Sequence, residues 1–438
     1  MNLLVTNTRN AQAYGIIRSL RPYAKKIVAT MYGPNRFVAR LSHAANSRYV
    51  DKRYRVPSPV EDWRQGKIQR QNTEREEEYI QEIFRICEKE AIDVIFPSWE
   101  PKVYIFSKNK ERFTERKIIV PVPDYEALIG TMDKYALIKT AQEVGFPCPK
   151  TFTTGGDIPL EAIEWQIKYP VVVKPRMSSG SRGVHIVGNR AELLERISSS
   201  GTPAGWMLVQ EYIPGSQHKR FTSMPMALDR DYNLIASGLH RRIRSIFTDE
   251  SAQGSAWESF RDDGLAEAAI RLCRALNLTG VVNLQTKLDP RDGSYKLLEI
   301  NPRVGYNFWI PRGLGVDLPL LALKIAMGER CDPVEHKDKK VFLAPVPDAA
   351  ALAVNLIELF AARVLRHRPV NPDNVSPRLS QILKSYRDTY TAPAKIFDPF
   401  FGDFFRDPFV SLTWWAAFGV FNLRGKLQSM PTLRRLDG

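Results

Sequence analysis

Two short segments restrict this chain more than any others: residues 281–288 (VVNLQTKL) and 295–301 (YKLLEIN) read as strands, and the intervening Asp289-Pro-Arg-Asp-Gly293 is a run of turn formers. A turn centred near Asp292 sets Gln285 opposite Glu299 and Asn283 opposite Asn301, any bulge aside. Strand side chains alternate, so Glu299 and Asn301 are expected on one face, with Leu298 and Ile300 pointing into a core. The oxygens of Gln285, Glu299 and Asn301 suit magnesium, with manganese as the alternative; magnesium keeps several waters and is usually shared with nucleotide phosphates. An ordinary hairpin with a polar outer face has the same pattern. Arg303 favours the metal reading, because it adds a fixed cation just beyond the three ligands.

Upstream, residues 171–174 (VVVK) look like a buried strand ending in Lys174, and 184–187 (VHIV) like its returning partner. The loop between them, Pro175-Arg-Met-Ser-Ser-Gly-Ser-Arg-Gly183, can lay backbone N–H groups around a polyphosphate, with Lys174 and Arg182 supplying charge. It is not a Walker loop, and there is no dinucleotide fingerprint.

Residues 1 to about 120 read as a doubly wound α/β unit, with strands at Leu3–Thr6, Lys26–Thr30, Asp93–Pro97 and Ile118–Val122 and helices at Gln12–Leu20 and Glu74–Glu90. The first turn, Asn7 to Asn10, has no Gly-x-Gly, which argues against a dinucleotide. Thr6 to Asn10 and Ser98 to Glu100 fall at strand carboxyl ends, where such sheets meet ligands. A helix over 133–144 ends at Gly145 and is terminated by prolines 147 and 149. Lys134 lies in its first turn, against the helix dipole, which suggests that it serves another charge. After a strand over 232–238 come His240, Arg241, Arg242 and Arg244; Arg241 and Arg242 are candidates to hold a substrate carboxylate, with a surface basic cluster as the competing explanation.

Six elements in order, Met132-Asp-Lys134, Val171 to Pro175, Ser178 to Gly183, Val209 to Ile213 followed by Pro-Gly, Gln285, and Glu299 to Arg303, resemble the ATP-grasp superfamily, in particular its carboxylate-amine ligases and the carbamoyl phosphate synthetase large chain. The resemblance implies an α/β fold: a Rossmann-like pre-ATP-grasp domain (1–122), a two-lobed α+β ATP-grasp domain (123–330) and a helical, aromatic-rich extension (331–438). It implies that Lys134 and Lys174 contact ATP phosphates, under a hairpin containing Ser179, Gly180, Ser181, Arg182 and Gly183. Gln210, Glu211, Tyr212 and Ile213 would flank the adenine, with a hydrogen bond from the Glu211 side chain as one option. Gln285, Glu299 and Asn301 would hold magnesium, and Arg303, Lys174 and Asn301 would serve the phosphoryl transfer. Many relatives carry a glutamate for the ribose two residues after the glycine that matches Gly215, where this chain has Gln217.

The activity this implies is ATP-dependent joining of a small carboxylate to an amine through an acyl phosphate. Carbamate or carboxylate phosphorylation of the carbamoyl phosphate synthetase kind, and ATP binding without turnover, are the alternatives. A formal charge of +15, from 63 basic and 48 acidic residues, would attract ATP and an anionic carboxylate, and equally nucleic acid or an acidic membrane, though no nucleic-acid module is recognisable. Cys87, Cys148, Cys273 and Cys331 form no metal or disulfide pattern, and Met1-Asn-Leu-Leu-Val-Thr lacks a charged leader with an apolar core. Together these lead to the expectation of a reducing cytoplasm. Residues 349–366 are apolar at helical spacing, and from Phe397 onward come ten aromatic residues followed by Arg424, Lys426, Arg434 and Arg435. Packing or homo-oligomerisation is the expected use of these aromatics, ahead of contact with a membrane surface.

Overall fold

The computed structural model describes residues 1–32, 42–57, 73–155, 160–178, 183–203, 205–215, 220–245, 254–335, 339–364 and 379–417. Near the N-terminus, β1 (Asn2–Thr6), β2 (Lys26–Met31), β3 (Lys52–Arg55) and β4 (Val94–Pro97) form a parallel sheet in the order β3-β2-β1-β4. Leu3, Leu4 and Val5 are all fully buried, as a strand covered on both faces requires. Leu3 and Val5 share a core with the helix Ala11–Leu20, while Leu4 shares the opposite core with Tyr79, Ile80 and Ile83 of the helix Thr73–Glu90. β3 escapes a hydrophobic-pattern search because Lys-Arg-Tyr-Arg is a charged edge strand. Conversely, the strand expected at 118–122 is reduced to one bridge, Ile119 to Val94, because Pro121 and Pro123 cannot donate to a ladder.

Two further sheets follow. The smaller comprises β5 (Thr151–Thr153), β6 (Val171–Pro175), β7 (His185–Val187) and β8 (Met207–Glu211), in the order β5-β8-β6-β7. Its core gathers Val171, Val173, Val187 and Val209 with Ile163 and Leu193 of two covering helices. The larger contains β9 (Phe221–Leu228), β10 (Leu234–Ser237), β11 (His240–Ser245), β12 (Gly254–Ser259), β13 (Gly280–Leu288) and β14 (Tyr295–Asn301). The helices Lys134–Glu143 and Asp263–Ala275 pack on one of its faces, with Met224, Leu284, Leu297 and Ile300.

The β13–β14 register is the expected one at its functional end, Asn283 facing Asn301 and Gln285 facing Glu299, but it then shifts so that Thr286 faces Leu297. Leu298 is the extra residue of this bulge. The expectation that Leu298 points into the core is therefore wrong: Leu297 and Ile300 are buried there, while Leu298 is only half-buried. A bulge inserts one residue on one strand and so reverses the alternation beyond it.

Beyond residue 330 the chain is not helical throughout. β15 (Val341–Leu343) pairs with β12, and β16 (Lys395–Phe397) pairs in parallel with β15, so both extend the large sheet. The apolar helix expected over 349–366 is Pro345–Val364. Of the tail aromatics, Phe400 and Trp414 stack with ring centroids 4.7 Å apart, Trp414 lies 5.0 Å from the His43 ring and Phe400 lies 5.4 Å from Tyr14. Both belong to the N-terminal core, and Arg18 forms an ion pair with Asp403 at 2.7 Å beside it. Phe397, Phe401, Phe405 and Phe409 are exposed, while Phe418, Phe421, Arg424, Lys426, Arg434 and Arg435 fall outside the described residues. No described helix is long and apolar enough to cross a membrane. Trp414→Ala, which removes a buried ring from a shared core, is expected to lower unfolding stability by about 3–5 kcal/mol. Phe405→Ser, at a ring 95% exposed, should change it by no more than about 0.5 kcal/mol. Urea melts of the full chain measure both.

Candidate active site

The end of β14 supplies the centre of the site. Asn301 Nδ2 donates to Glu299 Oε1 at 3.0 Å, and Gln285 stands across the ladder from Glu299. Lys134 enters from the first turn of its helix, where the Asp133 side chain accepts from the N–H groups of Tyr135 and Ala136. The Lys134 ammonium donates to Ser178 O at 2.7 Å and to Ser178 Oγ at 3.2 Å. Burial lowers its pKa, opposed by the nearby Glu299, Glu100 and Asp133 carboxylates. Lys134, Ser178, Glu299, Asn301 and Arg303 line one pocket with Glu100.

This donor set fits magnesium in kind. All three side chains offer oxygen, and only one carries charge, so a divalent ion there would draw further ligands from water and phosphate. Among the described residues, no group of three or more His, Cys, Asp or Glu side chains converges on a metal position.

Arg303 is held in place by a residue from the N-terminal unit. Its guanidinium forms a close ion pair with Glu100, at the start of the helix following β4, and donates to Val304 O at 3.1 Å. Glu100 lies in the segment singled out at the carboxyl end of β4, but its partnership with Arg303 had no sequence signal, since 203 residues separate them.

In the small lobe, Gln210 stands opposite Val172 on the neighbouring strand, which places it diagonally beside Lys174 on one face. Lys174 Nζ donates to Gln210 Oε1 at 2.8 Å, and Gln210 Nε2 donates to Thr151 Oγ1 at 2.7 Å. Arg176, next along, forms a two-pronged pair with Asp133 at 2.6 Å, tying the hairpin to the Lys134 helix. Gly183 has φ +73°, and a Cβ there would lie 2.9 Å from Pro175, so glycine closes the base of the hairpin. Ser179, Gly180, Ser181, Arg182 and Gln217 lie outside the described residues.

The Glu211 carboxylate is already engaged, accepting from Lys150 N at 3.1 Å and pairing with Arg291 at 2.7 Å. Arg291 sits in the β13–β14 turn, so Glu211 braces the two lobes, and the option of an adenine contact from its side chain is not supported. Tyr212 and Ile213 are buried. Lys287, which sequence reasoning missed, donates to Ile213 O at 2.6 Å and lies 4.8 Å from the Tyr212 ring centre. It shares the Gln285 face of β13 two residues on, the signal that would have found it.

Arg241 and Arg242 do not act from one side. His240 pairs with Ser223, and Ser223 with Gln285, whereas Arg241 pairs with Thr222, and Thr222 with Thr286. Arg242 therefore lies on the face that carries Gln285 and Glu299, 4.4 Å from the Phe221 ring centre, and is buried. Arg241 lies on the opposite face, bound to Glu258 at 2.7 Å and over Phe260. Adjacent residues of a strand point to opposite faces, which a list of neighbouring arginines overlooks. Arg244 is also lost to the site: it makes a two-pronged buried pair with Asp348 at 2.8 and 3.0 Å. His240 is buried with Nδ1 2.7 Å from Gly238 O, and burial pushes its pKa down to about 4, so it is neutral at pH 7.

Residues 133–334 match the sequence model of the carbamoyl-phosphate synthase L chain, ATP-binding domain, and residues 72–121 match that of the PylC-like N-terminal domain. The carbamoyl phosphate synthase large chain of Methanothermobacter thermautotrophicus is 29% identical over 184 residues, covering 40% of this chain and only 17% of that protein. Among solved structures, the biotin carboxylase domain of Hydrogenobacter thermophilus 2-oxoglutarate carboxylase, a dimer in complex with MgADP, ADP and bicarbonate, is similar with a TM-score of 0.60 and 17% identity over 78% of this chain and 73% of that one. The L-amino acid ligase of Bacillus licheniformis gives a TM-score of 0.54 at 16% identity, over 74% of each chain. Structural likeness at such identity speaks for the fold alone; the family match over the segment that holds Lys134, Lys174, Glu299, Asn301 and Arg303 leads to one assignment: residues 133–334 are an ATP-grasp domain.

Proposed function

We propose that the protein phosphorylates a small carboxylate with ATP and passes the resulting acyl group to an amine. A carboxylate oxygen takes the γ-phosphoryl group and releases ADP; the amine then displaces phosphate and loses a proton, leaving an amide. The observation that carries this reading is the convergence of Glu299, Asn301, Arg303 and Lys134 in one pocket, with Lys174 on the facing lobe. Phosphoryl transfer depends on positioning and charge neutralisation more than on a protein nucleophile, and this set supplies both.

Lys134 and Lys174 neutralise the ATP phosphates, and the backbone of Glu211 to Ile213 meets the adenine. Gln285, Glu299 and Asn301 would hold magnesium, or manganese, which would supply positive charge to neutralise the phosphates. Arg303, kept in position by Glu100, steadies the acyl phosphate, and Arg242 holds the substrate carboxylate from the same sheet face. Burial pushes the thiols of Cys87, Cys148 and Cys273 up to about 12, so none of these is poised as the thiolate that releasing nitrogen from glutamine would require. A carbamoyl phosphate synthetase-like phosphorylation of bicarbonate or carbamate is the second reading, favoured by the family match over residues 133–334.

Glu299→Gln and Asn301→Ala should each abolish magnesium-dependent ADP release while the melting temperature stays close to the parent value, because both side chains are only half-buried. Near-normal turnover in either variant would remove these residues from the metal set. Lys174→Ala should weaken ATP binding by at least about tenfold in calorimetry, the scale of a lost charge-assisted hydrogen bond of about 1.5–3 kcal/mol.

The reaction itself is tested with ATP, magnesium, hydroxylamine and a panel of carboxylates. A ligase of this kind forms a hydroxamate with its true carboxylate, and the other products are ADP and phosphate. AMP and pyrophosphate would instead mean adenylation, and ADP release with bicarbonate alone would favour the second reading. No substrate-stimulated nucleotide breakdown under any condition would leave a nucleotide-binding protein without turnover.

A further inference from the structure

The N-terminal sheet reverses its strand order beside β1: the chain runs β1 to β2 to β3 on one side and then returns to place β4 on the other. In open parallel sheets the crevice outside the carboxyl ends of the strands at such a point is where ligands bind. Thr6 ends β1, Asn7 follows it, and Lys102 lies in the helix Glu100–Lys108 that follows β4.

Lys102 is 2% exposed. Its ammonium lies 4.0 Å from the Tyr79 ring centre and 5.5 Å from that of Tyr32, and among the described residues it makes no hydrogen bond or ion pair. Of the acids on the two helices that carry Lys102 and Tyr79, Glu100 pairs with Arg303 and Glu76 Oε1 with Lys108, while Glu76 Oε2 is itself buried without a hydrogen-bond partner. Thr6 Oγ1 approaches the Tyr79 hydroxyl as a hydrogen-bond donor, which leaves the Tyr79 O–H without an acceptor, and both amide atoms of Asn7, the next residue along, are buried without hydrogen-bond partners. Asn7 also holds φ +57°, a conformation that costs energy and tends to be kept where it orients a side chain.

Ring contacts offset only part of the cost of removing a lysine charge from water, and burial accordingly drives the Lys102 pKa well below its usual value. At the carboxyl ends of β1 and β4, Lys102, Tyr79 and Asn7 thus lack what a single small anion would bring: negative charge for the amine, an acceptor for the Tyr79 hydroxyl and a partner for the Asn7 amide. We propose that the crevice at the carboxyl ends of β1 and β4 binds an anionic group, a carboxylate or a phosphate, of a small molecule through Lys102, Tyr79 and Asn7. This site is separate from the Arg303 pocket, because Glu100 and Lys102 are two positions apart on their helix and face different ways. It does not depend on the ligase reading.

The test uses the full chain saturated with ADP and magnesium, titrated in a calorimeter with inorganic phosphate and, separately, with succinate. The parent protein is expected to bind at least one of them saturably. Lys102→Met should weaken that binding by at least about tenfold, and in the absence of anion it should melt at a higher temperature than the parent, since a buried unpaired amine has been replaced by an apolar chain of similar length. Tyr79→Phe, which removes only one oxygen, keeps the test decisive if the lysine variant fails to fold, and should weaken binding severalfold. If the anion belongs to the substrate, Lys102→Met also raises KM for the carboxylate in the hydroxamate assay and leaves KM for ATP unchanged. If it belongs to a separate effector, added anion alters turnover without being consumed, at a concentration shifted upward in Lys102→Met. Failure of the parent to bind either anion, or equal binding by parent and both variants, would show that the crevice holds only water and overturn the proposal.

Discussion

Two antiparallel strands that share a register must present their side chains in facing pairs, and the β13–β14 ladder imposes this on the whole site. Gln285 cannot move relative to Glu299, nor Asn283 relative to Asn301, without breaking the backbone hydrogen bonds that hold both strands in the large sheet. The bulge at Leu298 confines the irregularity to the far side of Glu299, so the polar pairs stay aligned while Leu297 and Ile300 still reach the apolar core beneath them. Everything else in the pocket is placed against that edge.

The facing elements are positioned mainly by charge. Arg303 reaches Glu100 in the N-terminal unit, Arg176 ties the Lys174 hairpin to Asp133, and Arg291 joins the β13–β14 turn to Glu211 in the small lobe. Ion pairs of this kind, partly withdrawn from water and often two-pronged, set orientation more than they add net stability. They also leave Lys134 and Arg303 lining one pocket with Glu299 and Asn301, so that two cations share it with one carboxylate and one amide.

The segment after residue 330 closes the molecule on itself. β15 and β16 lengthen the large sheet, and Phe400 and Trp414 then pack against Tyr14 and His43 of the N-terminal unit. Stacked rings bury large apolar area with few rotatable bonds, which makes them effective clamps between units distant in sequence.

Much of this was legible in the residues themselves. The alternation in 281–301, the buried runs at Leu3 to Val5 and Val171 to Val173, and the proline stops after Gly145 are local patterns, and local patterns report strand faces and helix ends directly. The facing of Gln285 with Glu299 followed from turn position alone. What local pattern cannot carry is a partner that arrives from another part of the chain. Glu100 with Arg303, Lys287 with the Ile213 carbonyl, and Asp348 with Arg244 were decided by tertiary packing, as were the charged edge strand β3 and the single-residue bulge that exchanged Leu298 for Leu297. Arg241 and Arg242 show the same division: their charge is written in the sequence, but which one faces the cleft depends on the strands laid on either side. The composition of a segment fixes which contacts are favourable; only the packed structure chooses among them, because each side chain can satisfy its charge or bury its surface with any one of several partners.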